Sequence, residues 1–135
     1  MNSTSLIKNR NKVKQVIDFT GVQNGKLHPS DIDGVLEFDN KVLILIEVKR
    51  KFKPIPTGQR LLLERISDSW HTNEKSIVLK VEHECDDENI DIPLDKCKIT
   101  RVYYKKHWVT LPEPQGFVNY VNNLGREWDC KKCKF

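Results

Sequence analysis

The sequence predicts an α/β (α+β) protein with one mixed central β-sheet flanked by helices. Three observations predict it. Apolar runs at 31–38, 41–50, 76–83, 97–104 and 107–111 read as strands. Apolar stripes at helical spacing read as helices before, between and after them. The order is then α-β-β-α-β-β-β-α, for which one sheet with helices packed on it is the simplest arrangement.

The first helix is expected over about 5–19. Ser3, Thr4 and Ser5 are N-cap candidates, Leu6, Val13 and Ile17 recur at helical spacing, and Lys8, Arg10, Lys12 and Lys14 make the remainder basic. Gly21 to Pro29 reads as a connecting loop. The strands 31–38 and 41–50 meet at Asp39-Asn40, a turn-forming pair. Their parity is informative. Ile32, Leu36, Phe38, Val42, Ile44, Ile46 and Val48 are all even-numbered, and the odd set holds Asp31, Asp33, Glu37, Glu47 and Lys49 along with Val35, Leu43 and Leu45. A loop of odd length, such as Asp39-Asn40-Lys41, sets Asp33 opposite Glu47 on one face, whereas a two-residue turn sets them on opposite faces.

Pro54 and Pro56 break the chain, and Thr57 is placed to cap the next helix. That helix carries Gln59, Leu62, Leu63, Ile66 and Trp70 on one stripe. A strand at 76–83 alternates Ile77, Leu79 and Val81, and 84–95 is an acidic loop. A second hairpin turns at Lys105-Lys106. Pro114 is expected to start the last helix, with Phe117, Val118, Val121 and Leu124 as its core stripe, before a basic tail.

The length of 135 residues suits a single domain over 1–135 that buries a core without staples. The charge is 23 − 19 = +4, a mild basic bias that permits a polyanionic partner. The N-terminus shows no apolar signal region, which makes the cytoplasm the default location. No apolar stretch is long enough to span a bilayer, so no membrane partner is expected. Cys130-x2-Cys133 has half the spacing of a zinc site, with Cys85 and Cys97 as candidate partners, but four free reduced thiols is the simpler reading.

The chemistry concentrates where an apolar strand ends in charge. Glu47 and Lys49 close the run Lys41-Val-Leu-Ile-Leu-Ile-Glu-Val-Lys49, and burying ionised groups costs several kcal/mol unless they are paired or bind a metal. Two carboxylates a strand apart and facing one way form a minimal shell for a divalent cation in phosphodiester hydrolysis. A nearby lysine can orient or deprotonate the attacking water, or offset transition-state charge.

Asp33…Glu47-x-Lys49 resembles the signature of the PD-(D/E)xK nuclease superfamily. Pro29-Ser-Asp-Ile-Asp-Gly34 is similar to the entry to that motif in its phage and resolvase-like branches, and Gln59 resembles a glutamine that some branches place beside the active site. The resemblance covers about 5–82, and residues 97–135 would add a hairpin, a helix and the cysteine-containing tail. It implies a restriction-endonuclease-like α-β-β-α-β core and a metal-dependent endonuclease acting on DNA. Asp33 and Glu47, with the Val48 carbonyl, would ligate Mg²⁺ or Mn²⁺. Lys49 would act on the water or phosphate, Gln59 would hydrogen-bond near the metal, and Asp31 would stand behind the ligands. Many members add a glutamate from the first helix, where this chain offers only Asp18.

Arg50, Lys51, Lys53 and Lys12 are the candidate phosphate contacts, and Phe52 could stack on a base. The acidic loop would repel DNA and is expected to lie away from them. A domain this small suggests a homodimer on DNA. The alternative is an inactive nuclease-fold binding module, or an inhibitor from a mobile element, that holds DNA or a protein.

Overall fold

The computed structural model describes residues 17–135. The chain divides into two compact units, Met1–Asp31 and Ile32–Phe135. The helix expected over 5–19, including Lys12, lies outside the described residues apart from 17–19, which are not helical. The described part of the first unit is a succession of turns. Asn24 and Leu27 exchange backbone hydrogen bonds around Gly25, whose φ of +63° glycine adopts without strain.

The second unit is built on a five-stranded sheet in the order β1-β2-β3-β4-β5. The strands are β1 (Gly34–Phe38), β2 (Val42–Arg50), β3 (Ser76–His83), β4 (Lys98–Tyr104) and β5 (His107–Gly116). Helix α1 (Thr57–Asp68) connects β2 to β3, and helix α2 (Phe117–Glu127) follows β5. β2 and β3 run parallel, as their helical crossover allows, and every other neighbouring pair is antiparallel. The mixed sheet flanked by helices is therefore present.

Among the described residues, each face of the sheet carries one helix. Val42, Ile44, Ile46, Ile77, Leu79, Val81 and Ile99 pack with Phe117, Val121 and Leu124 of α2. On the other face Leu43, Leu45, Val78 and Tyr103 pack with Leu63 of α1, joined by Ile66 and Trp70. Both parities of β2 are thus buried from Val42 to Glu47, as befits a strand inside a sheet with helices on both sides. Leu43 and Leu45, of the odd-numbered set that also holds Glu47 and Lys49, make a second core beneath α1.

Three boundaries move. β1 begins at Gly34 rather than residue 31, and Ile32 packs into the α1-side cluster despite its even number. Thr57 is helical, and the cap position falls to Pro56 with no side-chain cap bond. Pro114 lies within β5, and α2 starts three residues later at Phe117. Pro114 and Pro112 are tolerated because β5 is a sheet edge, where a missing N–H leaves no ladder bond unmade.

Candidate active site

The geometry begins with the first hairpin. Phe38 pairs with Val42 and Gly34 with Ile46, so the loop is the three residues Asp39-Asn40-Lys41. Asp39 and Asn40 take φ of 52° and 59°, a region that these residue types enter most readily. Lys41 N–H closes the loop on Phe38 O at 2.9 Å. This odd-length loop sets Asp33 opposite Glu47, one step beyond the last paired residues.

Where β1 stops, the Asp33 side chain takes over. Its Oδ2 accepts the Val48 N–H at 2.8 Å, a bond that the Ile32 carbonyl would make if β1 continued. A residue's N–H and C=O face the same antiparallel neighbour. The Val48 carbonyl therefore faces this same gap.

Glu47 is buried, at 4% exposure, while Asp33 is exposed and Lys49 half-buried. In the first turn of α1, Gln59 Nε2 donates to Glu47 Oε2 at 2.9 Å. Burial pushes the Glu47 carboxyl up to about 7, and Asp33 adds to the rise by sharing a proton with it and by its charge. The Gln59 hydrogen bond and the Lys49 charge oppose the rise. The sheet and α1 thus bring together Asp33, Glu47, Val48, Lys49 and Gln59. Asp31 is an exposed residue at the end of the first unit.

The donor set is all oxygen and hard, which suits Mg²⁺ or Mn²⁺ held by one or two carboxylates and completed by water. Val48 N–H holds Asp33 Oδ2 and Gln59 holds Glu47 Oε2, and the two carboxyls also meet each other. Among the described residues, no three or more His, Cys, Asp or Glu side chains are gathered into one metal cage.

The basic residues after β2 are not where their charge alone would put them. Arg50 pairs with Asp86, and Lys51 Nζ pairs with Glu84 Oε1 at 3.0 Å. The acidic loop therefore lies against this run instead of away from it, because β3 ends beside β2 and delivers the loop there. Lys53 is exposed, closing a turn on Arg50 O at 3.0 Å. Phe52 within that turn has φ of 70° and is 84% exposed, with Lys51 Nζ 5.1 Å from its ring centre.

Among the described residues, the four cysteines do not gather into a metal-binding group. Cys97 and Cys133 are buried, their thiols donating to Pro93 O and Val121 O, each at 3.4 Å. Burial raises both thiol pKa values, which disfavours the thiolate that zinc requires. Cys85 donates to Asp87 O, and Cys130 packs at the edge of the α2-side core.

Sequence reasoning missed two residues on this face. Glu47 lies beside Lys80 and Lys49 beside Glu82 in the β2–β3 register. Lys80 is 6% exposed. The signal was available, since Lys80 interrupts Ser76-Ile-Val-Leu-Lys-Val81 just as Glu47 interrupts β2. Among the described residues, no helix is long and apolar enough to cross a membrane. Compared with protein-family models, curated proteins and solved structures, the chain matches none.

Proposed function

We propose that this chain is a metal-dependent nuclease that hydrolyses DNA phosphodiester bonds on a restriction-endonuclease-like core. The observation that carries the reading is the opposition of Asp33 and Glu47 on one sheet face, with Gln59 hydrogen-bonded to Glu47. Two carboxylates held this close, one of them buried, resist joint ionisation unless a proton or a cation lies with them. Asp33, Glu47 and the Val48 carbonyl would hold Mg²⁺ or Mn²⁺. When bound, such an ion polarises the phosphoryl oxygens and lowers the pKa of a ligated water.

The chain's own residues do the rest. Gln59 fixes the Glu47 carboxylate so that one oxygen faces the gap beyond β1. Lys49, one pleat further along β2 on the same face, meets the phosphate or the attacking water and offsets the charge that develops there. Lys53 and the exposed ring of Phe52 follow directly on the strand and extend the contact along the nucleic acid.

The test is incubation of supercoiled, linear and branched DNA with the protein in Mg²⁺ or Mn²⁺. Cleavage is expected for the wild type and is lost by about 100-fold or more in Glu47→Ala and Lys49→Ala. Cleavage surviving both substitutions would sink the site. Binding without cleavage in either metal would replace the nuclease with a binding module on the same fold.

A further inference from the structure

Four charged side chains form a two-by-two array on the α1 face of the sheet. β2 contributes Glu47 and Lys49, and β3 contributes Lys80 and Glu82. Neighbouring strands lie about 4.8 Å apart, whereas residues two apart on one strand are separated by roughly 6.6 Å. Each acid therefore has a base as its nearest neighbour across the strands, Glu47 beside Lys80 and Glu82 beside Lys49.

The observed pairing runs the other way. Lys80 Nζ donates to Glu82 Oε2 at 2.8 Å along its own strand, and the two side chains are only 8% and 12% exposed. Glu47 is bonded instead to Gln59 on α1. Among the described residues, Lys49 makes no ion pair.

We propose that the buried Lys80–Glu82 pair is a positioning device for the site. By neutralising each other along β3, Lys80 stays off the Glu47 carboxylate and Glu82 stays off the Lys49 ammonium. What Glu47 and Lys49 then do rests on the nuclease reading, but the pairing itself does not. Removing one member of a nearly buried pair leaves an uncompensated charge, which takes the nearest opposite charge. Without Lys80, Glu82 captures Lys49. Without Glu82, Lys80 captures Glu47 and competes with a cation for its oxygens. With both neutral, neither capture occurs, because replacing both partners removes the imbalance. Packing alone predicts otherwise, with the double variant at least as impaired as the worse single.

The experiment compares Lys80→Met, Glu82→Gln and the double variant by crystallography, by Mn²⁺ calorimetry on the protein alone, and by DNA cleavage. In Lys80→Met the Lys49 ammonium is expected on Glu82, with cleavage slowed about 100-fold. In Glu82→Gln the Lys80 ammonium is expected on Glu47, with Mn²⁺ affinity reduced about tenfold. The double variant regains both the Mn²⁺ affinity and most of the rate. Lys49 unmoved in Lys80→Met, or a double variant no better than the worse single, overturns the proposal. Should Lys80→Met fail to fold, Glu82→Gln decides it by the position of Lys80, and the double variant decides it by whether Mn²⁺ affinity returns. A wild type that neither binds Mn²⁺ nor cleaves DNA removes the nuclease reading, and the crystallographic positions of Lys49 and Lys80 then test the pairing by themselves.

Discussion

Asp33 accepts the Val48 amide at 2.8 Å, so one carboxylate oxygen completes a ladder that the backbone of β1 leaves unfinished. The same side chain acts on Glu47 through a shared proton and through its charge. Two substitutions separate these roles. Asp33→Asn keeps an acceptor for Val48 and removes the charge. It should fold with little loss while Glu47 falls below about 7 yet stays raised by its burial, and metal-supported cleavage should be lost. Asp33→Ala also removes the acceptor and should cost a further ~1 kcal/mol. Carboxyl NMR and urea denaturation of both variants check this.

The raised Glu47 carboxyl gives stability a definite pH dependence in the absence of metal. Because its folded value of about 7 lies above its ordinary 4.5, the folded state binds the proton more tightly. The contribution of Glu47 to stability is therefore full below the ordinary value. It declines as pH rises toward about 7 and is gone above it. Divalent cations need the ionised form, so Mn²⁺ affinity should rise over the same window and level off above it. Glu47→Gln should abolish both dependences, as measured by denaturation and calorimetry across pH.

The acidic loop holds part of the basic run in ion pairs. Arg50 and Lys51 are engaged by Asp86 and Glu84 in exposed pairs, which contribute little to folding. The double substitution Glu84→Gln/Asp86→Asn should leave the melting temperature nearly unchanged. It should tighten DNA binding and steepen the dependence of log affinity on log salt by about one unit per freed contact. An unchanged slope would show that Arg50 and Lys51 do not meet phosphate.

Gly125 sits where the C-terminal tail crosses α2. A Cβ there would collide with the Cys133 carbonyl oxygen and press on its Cβ at 3.0 Å. The tail is fixed at this crossing, since Cys130 N–H bonds to Gly125 O at 2.8 Å and Cys133 is buried in the α2-side core. Gly125→Ala should destabilise the protein by about 1–3 kcal/mol and expose the Cys133 thiol to alkylating reagents. Thermal melting and thiol titration read both effects.

Local chemistry in the sequence was enough for much of this protein. The apolar runs marked all five strands, and Ser76–His83 was delimited to the residue. Asp39 and Asn40, which readily take positive φ, marked the turn, while its length was left open by the sequence and made odd by the structure, which sets Asp33 opposite Glu47. These features are legible because strand alternation and turn conformation depend on residues adjacent in the chain. Tertiary structure alone decided what depends on residues far apart. Helix α1 covers the odd face, so Leu43 and Leu45 are core and Glu47 is buried rather than solvated. The parallel register of β2 and β3 brings Lys80 and Glu82 beside Glu47 and Lys49, and delivers the acidic loop onto Arg50 and Lys51. No periodicity within one strand encodes its neighbour across a crossover. Burial and electrostatic pairing are properties of that neighbourhood, and they raise the Glu47 carboxyl and keep Lys49 out of the ion pairs made among the described residues.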